Sequence, residues 1–182
     1  NSGIVNSTET NLSATVTNKG SLKAAGGVNV SAVASSEESQ LTSGLVKYTY
    51  NAMVDQVGDI TSPGFVNIQA ISNSYERLAD KTAQIDVSGK VTGGKVNIAA
   101  SSVNAFVDAA SLDLVGAITE AVGALSGIEF DADYSVVKNT AVVNIKDSAV
   151  ITATSAPEYV TDKETQKPVE VYGLNISAGA GV

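Results

Sequence analysis

The chain has no cysteine, no histidine and no tryptophan among its 182 residues. Without cysteine there is neither a disulfide framework nor a thiolate metal site. That absence also suits a chain exported unfolded, for which thiols are a hazard. Without histidine, His-based triads, most zinc sites and the commonest general base are removed. Basic charge is scarce: Lys and Arg number 11 against 19 acids, Arg77 is the one arginine, and the net charge is −8. A nucleic-acid binder needs a basic stripe, and docking on an anionic membrane surface needs a basic cluster. The scattered lysines supply neither. No apolar run reaches the ~18 residues of a membrane-spanning helix. Residues 1–19 lack the basic start and apolar stretch of a signal peptide, so if the protein is exported its targeting signal lies outside this piece.

What remains is small, β-branched and polar. Hydrophobic residues make up 43%, with aromatics at 5% and charged residues at 16%. The apolar set is mostly Ala, Val, Ile and Leu, which suits a narrow core lined by strands. Ser, Thr, Asn and Gly fill the rest and supply turns and exposed strand faces.

A repeat organises these residues. One block runs from Ala14 to Ala32, a second from Ala52 to Ala70 and a third from Ala83 to Ala100. Each opens Ala-x-(Val/Ile), has Gly six residues after the Ala (Gly20, Gly58, Gly89), and has an aliphatic two residues further on. Each closes on Val-Asn-(Val/Ile)-x-Ala. A fourth copy opens at Ala141-Val142-Val143, carries Asp147 in the Gly slot and continues through Ile151-Thr152-Ala153. It is interrupted by a polar stretch at 155–172 and resumes as Leu174-Asn175-Ile176-Ser177-Ala178. Within Val28-Asn29-Val30-Ser31-Ala32 the two-residue period puts Val28, Val30 and Ala32 on one face and Asn29 and Ser31 on the other. One such unit cannot cover its own apolar face. Stacking equivalent units buries the faces together and pairs the backbones of neighbours. The glycines then read as corners, where positive φ or close backbone approach is required.

The fold expected is all-β, a parallel β-helix (β-solenoid) running as a single segment over residues 1–182. An antiparallel sandwich also uses short alternating strands, but it does not require one block to recur. Residues 35–43 read as a polar loop, and residues 155–172 as an exposed loop or β-arm. Residues 107–127 carry Leu114, Val115, Ile118, Ala121, Val122 and Leu125 at helical spacing, with Ser111 suited to an N-cap and Gly127 to a C′ position. A helical excursion and a further coil of buried strands both remain open there.

The pattern Ala-x-Val, Gly-x-Ile-Thr, Gly-x-Val-Asn-Ile-x-Ala resembles the repeats of large filamentous-haemagglutinin-like and leukotoxin-like bacterial adhesins. It is also similar to autotransporter passenger repeats. The residues carrying the likeness are Ala52–Ala70, Ala83–Ala100, Ala141–Ala153 and Leu174–Ala178. The resemblance implies a right-handed β-helix, export across the outer membrane, a secreted or cell-surface location and a role in attachment and virulence. It brings no catalytic residues. The chain departs from the family in lacking a secretion-signal domain or translocating barrel. It also ends on strand-like sequence with no cap, so the polypeptide is expected to continue in both directions.

Few constellations in the sequence carry chemistry. Asp131 and Asp133 share a strand face, and Asp55, Asp59 and Asp86 lie near corners. β-Helix lyases and glycosidases use stacked acids, but they also need basic residues and sugar-stacking aromatics. Calcium is the metal best matched to carboxylates, yet no Asp-x-Asp-x-Asp-Gly loop or Gly-Gly-x-Gly-x-Asp repeat is present. No catalytic, cofactor or metal residues are therefore assigned. Asn29, Asn67, Asn97 and Asn175 share one slot of the repeat and read as an outward row bonding up the stack; a ligand-facing stripe is the rival reading. Thr15, Thr17, Thr152 and Thr154 hint at the flat threonine arrays of ice binders. Tyr48 and Tyr50 fall on one strand face, and Tyr159 and Tyr172 flank the polar stretch. Asn6, Asn11, Asn29 and Asn175 begin glycosylation sequons.

The function expected is that of a non-catalytic, stiff structural and adhesive segment whose loops meet a host glycan, matrix or cell-surface receptor. A β-helix carbohydrate-active enzyme and a pure spacer without ligand are the alternatives.

Overall fold

The structure, a computed structural model, describes residues 8–36, 46–74, 79–103, 138–156, 158–161, 168–171 and 173–181. Every element among them is a β-strand. Three strands make one coil. Coil 1 comprises β1 (Thr8–Asn18), β2 (Leu22–Lys23) and β3 (Val28–Ser35). Coil 2 comprises β4 (Val46–Gln56), β5 (Ile60–Thr61) and β6 (Phe65–Asn73). Coil 3 comprises β7 (Ala79–Val87), β8 (Lys90–Gly93) and β9 (Lys95–Val103). Coil 4 contains β10 (Asn139–Ile145) and β11 (Val150–Ala153), then a hairpin of β12 (Glu158–Thr161) and β13 (Pro168–Val171), and finally β14 (Leu174–Ala180).

Equivalent strands stack in parallel into three sheets, ordered β1-β4-β7-β10, β2-β5-β8-β11 and β3-β6-β9-β14. This is the parallel β-helix that the repeat predicts, and the register is that of the repeat. Ala14, Ala52, Ala83 and Ala141 lie in one column, as do Val28, Val66, Val96 and Leu174. At a strand spacing of about 4.8 Å, four coils span roughly 14 Å from first to last. Backbone hydrogen bonds between coils continue through the corners, for example Val57 to Asn18, Ser88 to Gln56 and Lys146 to Val87, each 2.9 Å.

The core is a narrow column of aliphatic layers: Ala52, Val54, Ile60, Val66, Ile68 and Ala70 from coil 2, and Ala83, Ile85, Val87, Val91, Val96 and Ile98 from coil 3. Alternation along β7 puts Ala79, Lys81, Ala83, Ile85 and Val87 inside. Lys81 is wholly buried there, between Tyr50 of coil 2 and Asn139 of coil 4 in the register. Beside it, Ser72 and Ser102 turn inward from the third sheet and donate to the Tyr50 and Lys81 carbonyls at 2.9 and 3.2 Å. Hydroxyls thus seal the corner between the third and first sheets.

The glycine corners are explained by closeness and not by handedness. A Cβ on Gly58 would overlap the Gly20 carbonyl, and one on Gly89 would overlap that of Gly58; none of the three has a positive φ. At Gly58 and Gly89 the coils approach so tightly that any side chain pushes backbone against backbone, whereas at Gly20 nothing lies within 4 Å of a Cβ. The expected excursion at 107–127 lies outside the described residues, as does all but the start of the 35–43 loop, where β3 runs to Ser35.

Candidate functional site

Three surface features rise above the bare stack: an asparagine ladder, an acidic corner and a projecting hairpin. The ladder follows from the two-residue period. Because Val66 and Ile68 point inward, Asn67 between them points outward, and the register places it over Asn29 and under Asn97. Asn67 Nδ2 donates to Asn29 Oδ1 at 3.2 Å, Asn97 Nδ2 to Asn67 Oδ1 at 2.7 Å and Asn175 Nδ2 to Asn97 Oδ1 at 2.6 Å. The amides of Asn67 and Asn97 are therefore each engaged on both sides, donating to the asparagine before and accepting from the one after, which is the behaviour of a structural ladder and not of a ligand-facing stripe. The outer face of the third sheet is also shielded in coils 2 and 3, where Gln69 is 1% and Ala99 4% exposed.

The acidic corner lies on the outer face of the first sheet. Asp55 and Asp86 are direct register partners. Asp59 lies beyond the next corner, where its Oδ1 accepts the Lys90 N–H at 3.0 Å. Asp86 is the hub. Its Oδ1 accepts from Asn144 at 2.7 Å and pairs with Lys146 at 3.4 Å, while its Oδ2 accepts from Gln84 at 2.6 Å. Burial would raise this carboxyl, but the hydrogen bonds from Asn144, Gln84 and Lys146, with the Lys146 charge, outweigh it and hold the group below its ordinary range. Both oxygens are occupied, so the carboxylate acts here as an acceptor tying coil 3 to coil 4. A shallow open depression lies alongside at Val143–Ser148. No group of three or more acidic ligands is close enough to hold a metal among the described residues. Asp131 and Asp133 lie outside the described residues.

The hairpin is the third feature. β12 and β13 pair antiparallel, with Tyr159 opposite Glu170 and Val160 opposite Val169. Among the described strands they pack mainly on each other. The arm leaves and re-enters the stack at neighbouring points: Ser155 N–H donates to Gly94 O at 2.9 Å, Val96 N–H donates to Gly173 O at 2.6 Å, and a Cβ on Gly173 would lie 3.3 Å from that of Ala153. It is an insertion at the corner that Pro63-Gly64 and Gly93-Gly94 occupy in coils 2 and 3.

The remaining sequence candidates disperse. Tyr48 and Tyr50 point into the core and stack on each other with ring centroids 6.4 Å apart, and Tyr50 is buried. The column of Thr15 continues as Met53, Gln84 and Val142, and that of Thr17 as Asp55, Asp86 and Asn144; Thr152 does stack on Thr92 and Thr61, but in a single column that ends on Lys23, so the described residues form no array two threonines wide. Sequence reasoning missed Lys81, although its parity with Ala83 and Ile85 was the available signal. Comparisons with protein-family models, curated proteins and solved structures found no match.

Proposed function

We propose that this chain is a non-catalytic structural and adhesive segment of a secreted or cell-surface bacterial filament. Its stacked coils serve as a stiff rod, and its arm is the contact element. The observation that carries this reading is the β12–β13 hairpin, which leaves the stack at one corner and contributes little to the stack's own packing. The resemblance of the repeats to filamentous adhesins supports the location and the role in attachment. A host glycan, matrix protein or cell-surface receptor is the partner class. The fully engaged carboxylate of Asp86 favours a non-catalytic surface over a carbohydrate-active enzyme.

The test is a binding screen of the folded chain against immobilised glycans, matrix proteins and host cells, beside a variant in which residues 156–172 are replaced by two glycines. Saturable binding lost with the arm is the expected result. Binding that survives the deletion would move the contact surface to the coils. No binding by either protein, with β-rich circular dichroism intact, would favour a spacer.

A further inference from the structure

Lys81 is the one charged residue in the buried set of described residues. Inward parity along β7 puts it in the core between Ala79 and Ala83. Its register partner in coil 4 is Asn139, and the Lys81 N–H donates to Lys138 O at 2.9 Å, which fixes the pairing there. Asn139 has the parity of Ala141 and Val143, which pack against the core. Amine and carboxamide therefore belong to the same inner face of adjacent parallel strands. Register partners lie about 4.8 Å apart, less than the length of a lysine side chain.

The next two inward columns of this sheet are Ala14, Ala52, Ala83 and Ala141, and Val16, Val54, Ile85 and Val143. In the column of Lys81, Leu12 and Tyr50 give way to a nucleophile and an amide side by side. Asn139 Nδ2 donates to the Gly181 carbonyl, which orients the amide through its nitrogen. Its Oδ1 is buried and accepts no hydrogen bond among the described residues. An amine attacks a carbonyl carbon in its neutral form, and removal from water weighs against an ammonium. The same removal withholds the water that would otherwise hydrolyse the group.

We propose that Lys81 and Asn139 condense into an intramolecular amide bond that staples coil 3 to coil 4. The lysine lone pair forms the Nζ–Cγ bond while the carbonyl π pair moves onto Oδ1. That pair returns as the Cγ–Nδ2 bond breaks, and Nδ2 leaves as ammonia with the proton that Nζ gives up. One amide is exchanged for another, so no oxidant, reductant or further reactant enters. The two groups stay side by side for the lifetime of the fold, which lets a slow reaction finish. The position suits a staple. Between Val103 and Asn139 the chain runs further than between any other consecutive described strands, and a longer connection costs more to close. A chain without cysteine has no disulfide for that task, and an amide resists reductants. The staple does not depend on the arm having a ligand.

Intact-mass spectrometry of the folded full chain, followed by proteolysis and peptide sequencing, tests this. The wild type is expected to weigh less than its sequence by the mass of one ammonia. Its digest should contain a branched peptide joining residues 81 and 139, which survives denaturant and reductant, and trypsin should not cut after Lys81. Lys81→Met keeps an unbranched side chain in the core and should restore the full mass with β-rich circular dichroism retained. Asn139→Ala should restore it independently. A folded wild type at its full sequence mass overturns the proposal. So does ammonia loss that persists in Lys81→Met, since that would be cyclisation of an asparagine elsewhere in the chain.

Discussion

Ile98 and Ile176 stand at the same place in the repeat, one coil apart, in direct register. Ile98 is fully buried, whereas Ile176 is 44% exposed. The same contrast separates Leu174 from Val96 and Leu22 from Ile60, whereas Val30, Ala32 and Ala34 of coil 1 are buried like their partners in coil 2. Parity along a strand decides which way a side chain points; the coils above and below decide whether it is buried. Energetic weight in this molecule should therefore follow position in the stack and not position in the motif.

The sharpest break of that comparison pairs Ile98→Asp with Ile176→Asp. A charge at Ile98 has no water and no partner, and should cost about 4 kcal/mol or more, enough to unfold a domain of ordinary stability. The same change at Ile176 should cost about 1 kcal/mol or less, since the side chain already meets solvent. Thermal melts read both, and equal costs would contradict the account.

Glycine supplies the next test, with a change of sign. Gly58→Ala drives a methyl into the Gly20 carbonyl and should cost about 1–3 kcal/mol by overpacking. Gly20→Ala meets nothing within 4 Å and has no positive φ. It should be neutral or stabilise by about 0.4–1 kcal/mol, through a less flexible unfolded chain. Urea midpoints at constant slope would separate the two.

Much of this was legible in the sequence, because a solenoid turns a repeat directly into a register. The blocks opening at Ala14, Ala52, Ala83 and Ala141 align in sequence as they stack in space. The asparagine column could be read as a ladder for the same reason. The parts that could not be read depend on distance between coils or on pairing outside the repeat. Gly58 is identifiable as a corner, but only the closeness of the Gly20 carbonyl says why it must be glycine. Lys81 has inward parity, but its charge argued for solvent. Gln69 has outward parity and is nonetheless buried, because alternation gives direction and not exposure. The arm read equally well as loop or strands, since its antiparallel pairing obeys no repeat.

The ladder offers a smaller contrast. Asn97 makes two ladder bonds and Asn175 makes one. Asn97→Ser should cost about 1 kcal/mol and Asn175→Ser about half of that, measured by chemical denaturation. Acid provides the last. The Asp86 carboxyl is held below its ordinary value in the folded chain, so its contribution is present above the unfolded pKa of about 3.9 and is lost as pH falls through the folded value. Asp86→Asn should therefore remove part of the stability lost on acidification below about pH 4, without steepening the profile at neutral pH.

The central claim is that successive copies of the repeat lie directly over one another. The chain has no native cysteine, so introduced pairs report register without interference. Asn67→Cys with Asn97→Cys joins two register partners whose side chains already touch, within the reach of a disulfide. Asn67→Cys with Ile98→Cys shifts the pair by one residue and puts the thiols on opposite faces of the sheet. Under mild oxidation the first pair should close nearly completely, and the second should keep both thiols free to alkylation. Closure of the second pair, or failure of the first in a folded chain, would contradict the stacking on which the account rests.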